Sequence, residues 1–203
     1  MGFYQTYVLP HLINFAMSSK DVAARRAALI PKATGSVLEI GIGSGLNLPY
    51  YSSAVTRLCG VDASAALLAM TRRKIDRAAF PVELIHESAE HLSVAHASVD
   101  TVVTTWTLCS IPDPLAALRE MKRVLKPEGR LLFVEHGLSA DPAVQAWQRR
   151  LDPAWKRIAG GCHLSRKIDE LIRSAGFDLA QLQTSYLPGP RPMTYTYEGA
   201  AGH

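Results

Sequence analysis

Three glycines in five residues, Gly41-Ile42-Gly43-Ser44-Gly45, close an apolar run, and no other spacing in the chain points so directly to a ligand. Glycine at such a bend lets the chain turn tightly and lets backbone approach a bound molecule with no Cβ in the way. Seventeen residues beyond Gly45, Asp62 ends a second apolar run, where one carboxylate can accept both hydroxyls of a ribose. Asp62, like Ser64, also suits the cap of a following helix, and the two roles are compatible. A dinucleotide fingerprint would carry glycine at position 46 to pack helix on strand; Leu46 stands there and disfavours a nicotinamide or flavin dinucleotide. A strand-to-helix turn without a ligand is the other reading of the loop. Glu39 lies within the apolar run itself and needs a partner, because a lone buried carboxylate is costly; a ligand ammonium would answer that need.

Histidine and cysteine are the next residues with chemistry to offer. His136 follows an apolar run from Arg130 to Glu135 and is the best-placed candidate for a general base near neutral pH, the alternative being a histidine satisfied by neighbouring backbone. His163, beside Cys162 and after Gly160-Gly161, is the second candidate. Cys59, Cys109 and Cys162 are far apart, lack CxxC spacing and leave an odd number, so neither a disulfide framework nor a zinc site is expected and no metal is assigned. With no secretory signal and no apolar run near the ~18 residues of a membrane span, a cytoplasmic protein is the expectation. The net charge of +4 is modest, and basic pairs such as Arg25-Arg26, Arg72-Arg73 and Lys122-Arg123 read as solvated helix faces. Aromatic residues are not interleaved with them as base stacking requires, so a nucleic-acid partner is not expected.

The elements that must position these residues alternate strand with helix. Ser36–Ile40, Arg57–Val61, Val82–Ile85, Val99–Trp106 and Arg130–Glu135 read as five buried strands, with weaker candidates at Asp178–Ser185 and Met193–Tyr197. Ala65–Arg77 and Pro112–Leu125 read as amphipathic helices, the second stopped by a turn at Lys126-Pro127-Glu128-Gly129. Continuous apolar strands between such helices predict an α/β fold: a doubly wound, mainly parallel seven-stranded sheet with helices on both faces. At 203 residues one domain is expected, with 1–30 a helical lid segment, 36–137 the cofactor-binding core and 138–203 the acceptor-side helices and last strands. Ligands of such sheets sit beyond the carboxyl ends of the strands, where the strand order reverses.

Val37 to Gly45, VLEIGIGSG, together with Asp62, resembles the cofactor motif of class I S-adenosylmethionine-dependent methyltransferases, whose fold is Rossmann-like. DTVVTTWTLCSIPDPLAALREMKRVLKPEGRLLFVEHG, from Asp100 to Gly137, resembles the small-molecule branch that includes ubiquinone and menaquinone methyltransferases. The resemblance implies that Gly41, Gly43 and Gly45 lie beside the methionine part of S-adenosylmethionine, that Asp62 holds its ribose, and that Glu39 lies near its amino group. It puts Ser88 and the backbone of Ala89 at the adenine, with Ser88 standing where an acidic residue is common, and His91 in the same loop. Thr104, Thr105 and Trp106 fall at the methyl-donor pocket, core packing being an equal reading of Trp106. Tyr7-Val8-Leu9-Pro10-His11-Leu12, Glu135-His136 and Gly160 to Arg166 resemble a narrower group that includes membrane-associated thiol methyltransferases.

The implied reaction is methyl transfer to a small, apolar acceptor, a thiol, amine, quinol or lipid headgroup, leaving S-adenosylhomocysteine. In-line displacement at a sulfonium asks the protein mainly to align the acceptor and exclude water. A thiol needs only to reach its thiolate, whereas a phenol, ammonium or carbon acid gains from a histidine base, His136 or His163. Two alternatives are a cofactor-binding module without turnover, which the intact loop and Asp62 disfavour, and a nicotinamide oxidoreductase, which Leu46 disfavours. The apolar stretch from residue 3 to 17 is expected to lid the site; docking an apolar acceptor, peripheral membrane contact and plain packing are its other readings. Tyr186, Tyr195 and Tyr197 line the acceptor side or pack within strands, and the oligomeric state is left open.

Overall fold

Consecutive residues of a strand point to opposite faces of the sheet, and where helices cover both faces nearly every strand residue is buried. That is why β1 (Gly35–Ile40) is written as an almost unbroken apolar run: Val37 enters the hydrophobic cluster on one face, Leu38 and Ile40 the cluster on the other. β4 (Val99–Thr105) and β5 (Leu125–His136) repeat the alternation, Val102 opposite Val103 and Phe133 opposite Val134. In the computed structural model, which describes residues 4–203, these join β2 (Val55–Asp62), β3 (Val82–His86), β6 (Asp178–Tyr186) and β7 (Tyr195–Gly202). They form one seven-stranded sheet of order β3-β2-β1-β4-β5-β7-β6. All neighbours among the first five strands are parallel, and β7 runs antiparallel to both β5 and β6.

Helices lie on both faces, as expected of a doubly wound sheet. α2 (Lys20–Leu29) and α3 (Ala65–Arg72) cover the Val37 face through Leu29 and Leu68. α4 (Pro114–Val124) and α6 (Ile168–Ser174) cover the other through Leu118, Met121, Ile168 and Ile172. Caps start them where the sequence provides a short acceptor: Ser64 Oγ accepts from the Leu67 N–H at 3.3 Å, and Asp113 accepts from that of Ala116 at 3.0 Å. α5 (Pro142–Ile158) is tied to the sheet by buried Gln148, which donates to the carbonyls of Gly137 and Pro192, both at 3.0 Å. α1 (Leu9–Met17) crosses above the carboxyl end of the sheet; Phe3, at the start of the aromatic stretch, lies outside the described residues.

Most boundaries fall within two residues of the sequence reading, and three places differ by more or in kind. α3 stops at Arg72 and a 3-10 turn at Ile75–Arg77 completes the stretch. The turn expected at Lys126–Gly129 lies inside β5 instead: Leu125 pairs with Val99 and Arg130 with Thr101, so two steps along β4 match five along β5. This bulged excursion is held by Lys126, whose ammonium meets Asp100 at 2.7 Å. β7 begins at Tyr195 rather than Met193, because Arg191–Thr194 forms the short helix α7, with Pro192 in its first turn.

Candidate active site

β1 pairs with β2 on one side and β4 on the other, so the segments leaving β1 and β4 diverge and a cavity of about 510 Å³ opens at their carboxyl ends. Gly41 and Gly43 line it with positive φ, 70° and 60°, a conformation that costs any residue with a Cβ. A Cβ on Gly41 would land on the Thr107 side chain, whereas one on Gly43 would meet only the Gly41 carbonyl at 3.8 Å. The loop is therefore shaped at Gly41 by the protein and at Gly43 left open toward the cavity. Gly45, φ 72°, completes the turn outside the cavity, against Leu48 and Thr71.

Asp62 fixes this loop to β2. One of its oxygens accepts from the Gly43 N–H at 2.9 Å and the other from the Ser64 N–H at 2.7 Å, leaving a second lone pair on each. Burial raises its carboxyl above the ordinary range, opposed by those two N–H groups.

Glu39 shares the Val37 face with α2 and is 1% exposed. Its partners come from the chain itself: Asn47 Nδ2 and Tyr51 Oη donate to its two oxygens, both at 2.8 Å. Asn47 in turn accepts from Arg26 Nε at 2.8 Å and donates to Thr105 Oγ1 at 3.1 Å. Arg26 is 5% exposed, donates to the Met17 carbonyl at 2.6 Å, and lies 5.1 Å from the centre of the Trp106 ring. Half of the Arg25-Arg26 pair is thus buried machinery, not solvated face. Burial pushes Glu39 up to about 7 against the hydrogen bonds from Tyr51 and Asn47 and the charge of Arg26. Trp106 lines the cavity with φ 51° while also packing against the core.

Ser88 and Ala89 line the far wall with Glu90, to which the Ser88 hydroxyl is hydrogen-bonded. His86, not singled out from the sequence, lines the cavity too, its Nε2 3.0 Å from the Ala63 carbonyl. The near wall is α1: Leu9, Ile13, Asn14 and Met17 face inward, and Ser44 Oγ donates to Asn14 Oδ1 at 2.6 Å.

Glu39, Gly41, Gly43, Asp62, Ser88, Ala89 and Thr105 are brought together around the cavity. Thr104, His136 and His163 are not among its lining residues. Thr104 is directed to the buried carboxylate of Glu135, donating at 2.7 Å; Glu135 also accepts from the N–H groups of Thr107 and Leu108, at 2.9 and 3.0 Å. His136 is 6% exposed, with Nδ1 3.9 Å from Cys162 Sγ and Nε2 without a hydrogen-bond partner among the described residues. His163 Nδ1 lies 3.2 Å from Asp152. Tyr186, Tyr195 and Tyr197 stack edge to face within the core, away from the cavity.

A family model described as a methyltransferase domain matches residues 38–133, the stretch that runs from the second half of β1 through the glycine loop to most of β5. The chain belongs to the S-adenosylmethionine-dependent methyltransferases. Thiol S-methyltransferase TMT1A of Homo sapiens is 32% identical over 82% of this chain and 71% of its own length. Thiol S-methyltransferase TMT1B of Rattus norvegicus is 36% identical over 73% of the chain, which spans 62% of that relative's length. A solved S-adenosylmethionine-dependent methyltransferase of Aquifex aeolicus superposes with a TM-score of 0.63, covering 95% of this chain and 97% of that one at 16% identity, a likeness of fold.

S-adenosylmethionine is the cofactor of this family, and the residues present fit it. The cavity has the size of a small-molecule site. Gly43 turns no side chain into it, and Asp62 has acceptor capacity left for ribose hydroxyls. Among the described residues no group of three or more His, Cys, Asp or Glu could hold a metal ion, and no helix is long and apolar enough to cross a membrane.

Proposed function

We propose that the chain methylates a small apolar thiol, with the acceptor entering between α1 and Trp106. The observation that carries this reading is the chemistry of the cavity wall. Leu9, Ile13, Met17 and Ile111 make the acceptor side apolar; neither His136 nor His163 lines the cavity, and His86, which does, stands at the end of β3 with Nε2 3.0 Å from the Ala63 carbonyl. An acceptor that must lose a proton to a histidine base is poorly served there, whereas a thiol ionises unaided near pH 8.5. S-adenosylmethionine, when bound, supplies a sulfonium methyl electrophile. Asp62 would hold its ribose, the Gly41–Gly43 backbone would take its methionine part, and Glu39 with Asn47 and Thr105 would give a polar end for its amino-acid group. α1 excludes water and aligns the acceptor. The relatives named as thiol S-methyltransferases support the same acceptor class.

The outer face of α1 supports a peripheral lipid contact as the route by which an apolar acceptor arrives, since Leu12 is 51% and Phe15 82% exposed. Isothermal titration with S-adenosylmethionine, S-adenosylhomocysteine and NADH, on wild type and Asp62→Ala, tests the cofactor. Micromolar binding of the first two, lost in the variant, is expected; preference for NADH would sink the reading. Methyl transfer is then assayed on an alkyl thiol, an alkylamine and a quinol of matched size, and turnover of the amine or quinol without the thiol would overturn the acceptor class.

A further inference from the structure

Cys109 and Cys162 stand 53 positions apart in the sequence, yet their sulfurs lie 3.3 Å from each other. Cys109 is 3% exposed, in the turn after β4; Cys162 is half-buried, in the turn after α5. Main chain already joins the two turns, the His163 N–H donating to the Cys109 carbonyl at 2.8 Å. Arg166 braces the same place, donating to the carbonyls of Leu108 and, at 2.7 Å, of Ile111. The backbones that carry the thiols are thus held in register, and the sulfurs need to close by little more than about 1 Å to reach the ~2.05 Å of a bond. Surroundings differentiate the pair. The S–H of Cys109 and the nearby His136 favour the Cys162 thiolate, holding it below the ordinary thiol range, while Cys109 is pushed up by its sulfur neighbour and by burial.

We propose that Cys109 and Cys162 are a reversible dithiol–disulfide site whose reaction partner is a small-molecule disulfide. The half-buried Cys162 sulfur attacks one sulfur of RS–SR, forming a mixed disulfide and releasing RS⁻, which takes the proton of Cys109. The Cys109 sulfur then attacks that of Cys162 and expels the second RS⁻, which is protonated from solvent. Two protein thiols and one external disulfide become one protein disulfide and two small thiols, so two electrons leave the protein. The new bond ties the turn holding Thr107, Ser110 and Ile111, a wall of the cavity, to the turn whose Gly160 faces Leu9 of α1. The site stands independently of which acceptor is methylated.

The full chain is equilibrated with graded ratios of reduced and oxidised glutathione, quenched with acid, alkylated with N-ethylmaleimide and mapped by peptide mass spectrometry. At oxidising ratios the expected product is a Cys109–Cys162 cross-link reversed by dithiothreitol, with Cys59 still alkylated. Cys162 is expected to react roughly tenfold or more faster than Cys59, whose thiol burial pushes up to about 11. Cys109→Ser should stall with glutathione on Cys162, and Cys162→Ser should take up neither adduct nor cross-link. Three alkylated cysteines at every ratio, or glutathione collecting on Cys59 instead, would overturn the proposal, and the wild-type map decides it even if a variant fails to fold.

Discussion

Gly41 and Gly43 share a left-handed backbone but not a steric environment, and substitution should separate the two. Gly43→Ala adds a Cβ into open cavity space and pays only the conformational penalty of about 1 kcal/mol, so the protein should fold while its affinity for S-adenosylhomocysteine falls by roughly tenfold or more, read by titration. Gly41→Ala drives a Cβ into Thr107 and should cost about 2–4 kcal/mol in urea unfolding before any ligand is added. The need for glycine here could be read from the spacing; which glycine faces a ligand and which faces Thr107 could not, because that depends on where the segment after β4 lies. Glu39 shows the same limit. Its type and place in an apolar strand demand a partner, but Asn47 and Tyr51 meet that demand from beyond the glycine loop, in an irregular stretch with no periodicity to reveal its inward side chains.

The buried guanidinium of Arg26 ties α2 to α1, the near wall of the cavity. Arg26 joins the carboxyl end of α1, at Met17, to Asn47 under the cavity. Arg26→Met should destabilise the chain by about 2–4 kcal/mol, measured by chemical denaturation, because two buried acceptors lose their donor. Asn14→Ala removes the bond from Ser44 while leaving the apolar packing of Leu9 and Ile13, so it should speed release of S-adenosylhomocysteine several-fold in stopped flow with little change in unfolding midpoint. The strands and α4 could be read from sequence because their period and caps are local. Arg26 could not, since a basic pair on a helix carries no mark of which member turns inward. Cys109 and Cys162 were further out of reach, their meeting being set by the packing of two turns from distant parts of the chain.

For the molecule as a whole, two fully buried carboxylates set a dependence of stability on pH. Burial raises both Glu39 and Glu135 from an ordinary 4.5 to about 7. Each holds its proton more tightly folded than unfolded, so the stability either contributes is full below about 4.5 and is lost as pH rises to about 7. Glu135→Gln, neutral throughout, should therefore gain on the wild type between pH 5 and pH 8 by on the order of 3 kcal/mol, and equal pH profiles for the two proteins would refute that assignment. The order of the sheet could be read only in part: β1 to β5 follow from their apolar runs, but nothing local announces that β7 enters between β5 and β6. That insertion matters at the ribosome. β6 has β7 as its hydrogen-bonded neighbour, so residues from Asp178 onward form a strand with nowhere to pair until Tyr195–Gly202 have also left the ribosome. Throughout that interval of synthesis β5 presents an open edge to its surroundings, and a nascent chain halted before Tyr195 would expose that edge to chaperones and to its own kind.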